Sequence, residues 1–299
     1  MTDPKAEHRR GSPDRTGENE ASETTLVRKL DDSEQKQVAR RVAISATVVH
    51  EAIRTEGERE LERHPGALAW SGLAAGLSMG FSMVAPGLIH AYMPGVLWRP
   101  LIEDAGYSLG FLIVVLGRQQ LFTENTLTVI LPLLANFSVN RLLRVFRLWA
   151  VVLLANLLGA LLFAFVVAWT PVFLPQVRHA MEVIAQGSLR GGFWLTVLRG
   201  IFAGWLIALM VWLLPGAEAA RLQIIVILTY FVALGGFAHI IAGSVDTMYL
   251  AALGRITWGD YLGGFMIPTL IGNITGGVSL VAALSFAQVA TETAGGRGE

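Results

Sequence analysis

The sequence predicts an all-α integral membrane protein with six transmembrane helices, arranged as two inverted three-helix repeats. Of its 299 residues, 53% are hydrophobic and only 15% are charged, a composition typical of membrane proteins. Beyond residue 65 the apolar residues fall into six long runs. The second and fifth runs share a related interruption at their midpoints, which predicts an internal repeat.

The amino-terminal region is polar, because residues 1–63 hold more than half of the charged side chains. Residues 1–31 are rich in Pro, Gly, Ser, Thr and mixed charge, so they predict a disordered cytoplasmic tail. Between residues 32 and 64 apolar side chains recur at helical spacing. This pattern predicts an amphipathic cytoplasmic helix with Ser33 as its cap.

Residues 65–290 form the predicted transmembrane domain, and residues 291–299 a short cytoplasmic tail. A helix needs about 20 apolar residues to cross a bilayer, and each of the six runs reaches that length. The runs are residues 66–89, 105–137, 148–174, 191–214, 222–254 and 261–290.

The interrupted runs carry the sign of an internal repeat. VLGRQQLFTEN (115–125) aligns with ALGGFAHIIAG (233–243), and an Asn-x-x-Gly motif begins at both Asn156 and Asn273. A three-helix repeat has an odd number of crossings, so its second copy enters the membrane inverted. Non-helical backbone at membrane depth is tolerated only inside the protein or against a wet cavity. The two interruptions therefore predict broken second and fifth helices.

Arginine placement predicts the orientation. Arg141, Arg144, Arg147 and Arg221 fall in predicted loops between runs, and an excess of arginine marks cytoplasmic loops. We therefore expect both termini in the cytoplasm. The excess of arginine over lysine is typical of a high-GC bacterial genome, so the predicted location is the bacterial inner membrane.

Four short motifs, in order along the runs, resemble those of the formate/nitrite transporter family, and the resemblance covers about residues 64–290. It implies an aquaporin-like fold, a homopentamer with one pore per subunit, and passage of a small monocarboxylate or similar small anion. The motifs are Leu121-Phe122-Thr123, Leu198-Arg199-Gly200-Ile201, Gly236-Phe237-Ala238-His239 and Gly272-Asn273-Ile274-Thr275-Gly276-Gly277.

The resemblance also implies roles for individual residues. Leu121, Phe122 and Thr123 take the place of the segment that narrows the pore. His239 takes the place of a central histidine that assists protonation of the solute, a role that suits an imidazole because small shifts change its charge near neutral pH. The chain departs from the family at Ala238, where the family usually has Glu.

A second departure is Gly204, where the family usually has Asn. Charged residues near the interruptions add three further candidates. Arg118 and Glu124 are expected to form an ion pair that pins the first interruption, because charges at depth usually pair. Asp246 is a candidate partner for Arg199.

The candidate residues fall into two groups. Asn156, Asn273 and Arg199 are expected to brace helices through hydrogen bonds, and the spacing of Gly72, Gly76 and Gly80 predicts a close helix-packing face. The predicted pore and substrate residues are His239, Leu121, Phe122, Thr123, Glu124, Arg118, Asp246 and Gly204.

Composition and motifs bound the other functions. There is no cysteine and no recognisable zinc or serine-hydrolase motif, so no metal, cofactor or enzymatic activity is predicted. The basic residues form no stripe that predicts nucleic-acid binding. The expected partners are a small anionic or weak-acid solute, the lipid bilayer and copies of the same chain. A pore of changed selectivity and a non-conducting membrane scaffold or sensor stay open as alternatives.

Overall fold

The computed structural model describes residues 44–282, apart from the side chains of residues 280 and 281. The predicted tails at 1–31 and 291–299 lie outside the described residues, as does the predicted cap Ser33. Within the described range all regular structure is helical. The all-α prediction is therefore confirmed for this part of the chain.

Helix α1 spans Ala46–Glu62. The hydroxyl of Ser45 accepts the backbone N–H of Val48 at 3.4 Å, which satisfies one of the free donors at the helix start. Gly57 lies against the backbone carbonyl of Thr128, where a Cβ atom would overlap. Helix α1 is therefore packed against the first half of the membrane domain.

Residues 65–169 form the first half of that domain. The first long helix is interrupted by a turn at Gly80 and continues to Tyr92. Between residues 117 and 124 the chain leaves the helical conformation before a short helical stretch resumes. The helices of this half are α2 (Pro65–Met79), α3 (Phe81–Tyr92), α4 (Arg99–Gly106), α5 (Ser108–Leu116), α6 (Asn125–Thr128), α7 (Ile130–Ala135) and α8 (Val139–Trp169).

The second half follows a related order. Its interruption lies between residues 235 and 241. Two π-helical turns, Asp260–Met266 and Gly276–Ala282, flank its last helix. The helices are α9 (Pro175–Ala185), α10 (Phe193–Leu213), α11 (Arg221–Leu234), α12 (Ala242–Ala252) and α13 (Ile267–Thr275).

Glycines let the helices within each half approach closely. On α2, a Cβ atom at Gly76 would overlap the carbonyl oxygen of Asn156 on α8. On α10, a Cβ atom at Gly204 would overlap the carbonyl oxygen of Asn273 on α13. Small residues allow such close backbone contact between membrane helices. The predicted packing role of Gly76 is thus confirmed, and both halves contain such contacts.

Three helical stretches of the described chain are long and apolar enough to cross a membrane, namely Pro65–Tyr92, Val139–Trp169 and Phe193–Gly216. The other apolar runs form shorter helices separated by the interruptions and turns.

One boundary of the predicted spans is wrong. Arg141, Arg144 and Arg147 were expected in a loop but lie on the first turns of α8, which begins at Val139. Ser138 caps this helix by accepting the N–H of Arg141 at 3.2 Å, so the helix starts well before its apolar part.

Candidate functional site

The two interruptions begin with the same backbone closure. After α5, the N–H of Gln119 donates to the carbonyl of Val114 at 2.9 Å. After α11, the N–H of Phe237 donates to the carbonyl of Val232 at 2.9 Å. Both contacts span a residue with positive φ, as expected where a helix ends in a left-handed turn.

The residue in the left-handed turn differs between the two interruptions. In the second it is Gly236, with φ 59°, and in the first it is Arg118, with φ 49°. Glycine adopts this conformation freely, whereas a side chain with a Cβ atom is strained there. The side chain of Arg118 is exposed. Its position is therefore set by the turn, and the turn directs it away from the buried part of the interruption.

A buried asparagine braces the first interruption. Asn156 accepts the backbone N–H of Phe122 at 2.9 Å. Its side-chain amide donates to the carbonyls of Gly72 and Gln120, both at 2.8 Å. One side chain thus pairs two backbone groups of the interruption, the N–H of Phe122 and the carbonyl of Gln120, and ties them to the carbonyl of Gly72 on α2.

Asn273 does the same for the second interruption. It accepts the N–H of Ile240 at 2.9 Å and donates to the carbonyls of Gly200 and Ala238 at 2.9 and 2.8 Å. Both asparagines have no exposed surface. Asn156 and Asn273 thus make the hydrogen bonds to backbone that their expected bracing role requires.

A side-chain hydrogen bond joins the two interruptions. Thr123 Oγ1 lies 2.8 Å from His239 Nε2, and the two side chains are 0% and 1% exposed. The other ring nitrogen, Nδ1, accepts the backbone N–H of Ala242 at 3.2 Å. In the neutral ring the proton therefore lies on Nε2, and the Nε2–H group donates a hydrogen bond to the threonine oxygen. The hydrogen of the threonine hydroxyl is then free to donate to another group.

A cavity of about 380 Å³ reaches His239 from one side. The ring of Phe111 packs edge-on against the histidine, with centroids 4.9 Å apart. Leu121 and Phe122 are buried at 0% and 1% exposure and do not line this cavity. The polar and charged side chains that line it, besides His239, are Ser82, Asp104, Tyr107, Ser188, Arg190, Thr196, Arg199 and Asp246.

Several predicted site residues lie elsewhere than expected. No ion pair joins Arg118 to Glu124 within residues 44–282, so that predicted pair is wrong. One reason is that the left-handed turn leaves Arg118 exposed. Glu124 keeps its Oε1 buried, without a hydrogen-bond partner among the described residues. Gly204 lies in the contact with Asn273 and does not line the cavity.

Arg199 and Asp246 share the cavity but do not form the predicted ion pair. Arg199 donates from Nη1 to the carbonyl of Arg190. Asp246 Oδ2 accepts from Ser188 Oγ at 3.0 Å. Arg199 thus binds a backbone carbonyl, and Asp246 binds a serine hydroxyl.

Ser188 and Arg190 were not identified as cavity residues by sequence analysis. They lie between two apolar runs, where no motif or periodicity distinguishes a cavity residue from an ordinary loop residue. Asp104 directly precedes the second run, and an acid at the edge of an apolar run is a signal that could have identified it. No cluster of three or more potential metal-ligating side chains occurs in the described part of the chain.

Two interrupted helices that meet beside a buried histidine, within an all-helical and strongly apolar domain, define a helical membrane protein of the channel and transporter class. The chain belongs to the formate/nitrite transporter family, whose family model matches residues 47–287. The family consists of channels and transporters, and the protein is accordingly not an enzyme.

Named relatives agree with this assignment. The chain is 41% identical over 265 residues to the inner membrane protein YfdC of Escherichia coli K12, covering 86% of each chain. It is 27% identical over 197 residues to the formate channel BtFdhC of Bacillus thuringiensis, covering 64% of this chain and 74% of that protein.

Solved structures show the same fold at low sequence identity. A pentameric formate channel with formate bound superposes with a TM-score of 0.63 at 20% identity, covering 75% of this chain and 96% of that one. An ion channel of the same family superposes with a TM-score of 0.68 at 20% identity, covering 81% of this chain and 99% of that one.

Proposed function

We propose that the protein passes a small monocarboxylate, or a similar small anion or weak acid, through a pore in each subunit of a bacterial inner-membrane homopentamer. Relatives named as a formate channel and an inner membrane protein support the solute class and the location. The similar solved pentamer supports the assembly. The observation that carries the proposal is the contact between Thr123 and His239 at the end of the cavity.

The proposed architecture has six crossings in two inverted three-helix repeats, with both termini in the cytoplasm. The matched backbone closures and the matched asparagine braces support a repeat. In this arrangement α5 and α6 together make the second crossing, and α11 and α12 the fifth. Each broken crossing would then bring its interruption to the middle of the domain.

Leu121 and Phe122 are proposed to form the dry, narrow part of the path. Moving an intact anion through such a segment costs far more than moving a neutral acid, because an unpaired charge loses its hydration. The hydroxyl of Thr123, oriented by the imidazole of His239, supplies a donor at the entrance to this segment. We propose that His239 supplies or orients a proton there, so that the solute crosses as the less charged acid.

Glu124, Arg118 and Asp246 have different places in this scheme. Asp246 lines the cavity and is proposed to contact solute. Glu124 follows Thr123 and does not line the cavity. It is proposed to lie on the opposite side of the narrow segment. The exposed side chain of Arg118 is proposed to act only near that opening.

A pore of changed selectivity is the second candidate, and one observation favours it. The cavity is lined by two acidic and two basic side chains, so its formal charge does not favour anions over other small solutes. In the third candidate, a scaffold or sensor, the path would carry no solute. Flux measurements separate these three functions.

The test is solute flux into proteoliposomes that contain the full-length protein, with and without a pH gradient. The panel contains formate, nitrite, hydrosulfide, acetate, lactate and neutral solutes. The proposal predicts flux of at least one weak acid, and predicts that His239→Asn slows that flux and changes its pH dependence. His179→Asn is the matched control, because His179 is exposed on α9.

Three results would decide against the proposal. Flux of neutral solutes alone would favour the pore of changed selectivity, and absence of all flux would favour the scaffold. Unchanged rate and unchanged pH dependence in His239→Asn would remove the proposed role of the histidine. Accumulation driven by the pH gradient would identify a proton-coupled carrier.

A further inference from the structure

The cavity that ends at His239 is lined by four charged side chains that are not paired with one another. Arg190, Arg199, Asp104 and Asp246 all line it, and no ion pair joins any two of them within residues 44–282. Asp246 is the buried member of this set, and a charged group at depth in a membrane protein usually pairs with another or serves the solute path. This arrangement points to a solute with more than one polar group.

Asp246 is the acid held most firmly. It lies on α12, which also contributes Gly243 to the cavity wall. The residue is 9% exposed. Its Oδ2 accepts from Ser188 Oγ at 3.0 Å. Its Oδ1 has no hydrogen-bond partner among the described residues and is not an enclosed atom, so it faces the cavity. One oxygen is thus anchored by protein, and the other is available to a solute.

The free oxygen requires a polar neighbour in either protonation state. An ionised carboxylate accepts hydrogen bonds there, and a protonated one donates or accepts. A hydroxyl group satisfies both forms, because it is a donor and an acceptor. A methyl group or a hydrogen atom of a simple carboxylic acid that displaces water from this oxygen satisfies neither form, and leaving a polar group unpaired in a confined site is costly.

Arg199 offers the complementary contact. Its guanidinium uses Nη1 to bind the carbonyl of Arg190, and a guanidinium carries five N–H donors in a fork that fits a carboxylate. Arg199 and Asp246 line the same cavity from α10 and α12. A small solute with a carboxylate and a neighbouring hydroxyl could therefore contact both.

We propose that Asp246 determines specificity by selecting small hydroxy acids over unsubstituted acids, with Arg199 receiving the carboxylate and Asp246 the hydroxyl. The inference rests on the proposed function, since it names the class of weak acid that the pore passes. A site built to bind a hydroxyl rejects the analogue that lacks it.

Acetate and glycolate test this directly, because glycolate is acetate with one added hydroxyl. Their initial fluxes into proteoliposomes are compared after subtraction of flux into protein-free vesicles. We expect wild type to favour glycolate by about tenfold, the effect of one good hydrogen bond. Asp246→Ala is expected to bring the ratio close to one. Asp246→Asn keeps a hydrogen-bonding group and the contact with Ser188, so it is expected to retain most of the preference.

Asp104→Ala is the matched control, because it removes an acid from the same cavity. It is allowed to change both fluxes but not their ratio. A glycolate-to-acetate flux ratio near one in wild type would overturn the inference, even if a variant fails to fold. An equal loss of preference in Asp104→Ala and Asp246→Ala would also overturn it. Equal flux of both acids refutes only the specificity proposal, whereas absence of flux for every solute refutes the proposed function as well.

Discussion

The two interruptions are built on one backbone plan but have different surroundings. Each closes its preceding helix through a left-handed residue, and each is braced by a buried asparagine. The first is filled by its own polar side chains, since Asn125 Nδ2 donates to Gln120 Oε1 at 3.0 Å. The second opens on the cavity that ends at His239.

This difference separates the residues that stabilise the fold from the residues that form the candidate site. The asparagine braces occur in both halves and satisfy backbone, so they explain how broken helices persist in a membrane domain. Of the two interruptions only the second contains a histidine, His239, and Thr123 of the first completes its hydrogen bond. The closure and the brace occur in both halves, whereas the contact between Thr123 and His239 is assembled once, from one residue of each half.

Loss of a brace should have the largest effect. Asn156→Ala and Asn273→Ala each leave one N–H and two carbonyls without their side-chain partner, so we expect each to lower the free energy of unfolding by about 2–5 kcal/mol. Thermal unfolding of the solubilised protein measures this. Asn140→Ala on the exposed start of α8 is the control and should stay within about 0.5 kcal/mol. A large loss at only one of the two braces would contradict their equivalence.

The glycine contacts offer a second comparison of the two halves. Gly76→Ala and Gly204→Ala insert a methyl group against the carbonyls of Asn156 and Asn273, so each should destabilise by about 1–3 kcal/mol. Gly187→Ala is the control, because no atom lies within 4 Å of the added Cβ. Normal stability of Gly204→Ala would show that α10 and α13 are not in close contact and would return Gly204 to the list of candidate pore residues.

The left-handed residues should respond in opposite directions. Arg118→Gly relieves a strained turn and should stabilise the protein by about 1 kcal/mol, and Gly236→Ala should destabilise it by a similar amount. Melting temperatures of the two variants check this pair. If Arg118→Gly lowers stability, the arginine side chain makes a contact that outweighs the backbone strain.

The sequence predicted the frame better than the site. The interruptions and the paired Asn-x-x-Gly motifs are visible because membrane helices seldom contain such residues, and a family resemblance singled out His239. Ser188 and Arg190 were missed because a residue that enters a cavity from a connecting segment leaves no periodic signal. The expected pair of Arg118 and Glu124 failed because spacing does not reveal that a left-handed turn points the arginine outward.

The smallest predicted effect concerns α1. This helix contacts α6, which follows the first interruption, and within the described residues it has no counterpart in the second half. Burial lowers the pKa of His50 from its usual value of 6.5, with smaller opposing and reinforcing effects of Glu51 and Arg54. The undocked helix therefore binds more protons, so docking should weaken as pH falls below about 6.5.

Glu60 acts in the opposite direction, because burial raises its pKa and favours the docked helix as pH falls. Comparison of wild type with His50→Gln isolates the histidine. Hydrogen exchange over residues 46–62 at pH 7.5 and 5.5 should show a greater increase in opening for wild type than for the variant. An equal change in both would assign the pH response to other groups.

The most direct test of the assembled site is a double-mutant cycle on flux with Thr123→Val, His239→Asn and the double variant, using the solute that crosses fastest in wild type. If the two residues act as one unit, the double variant should be no slower than the slower single variant. Independent losses that multiply in the double variant would contradict this account, as would wild-type flux in both single variants or a wild-type protein that passes no solute.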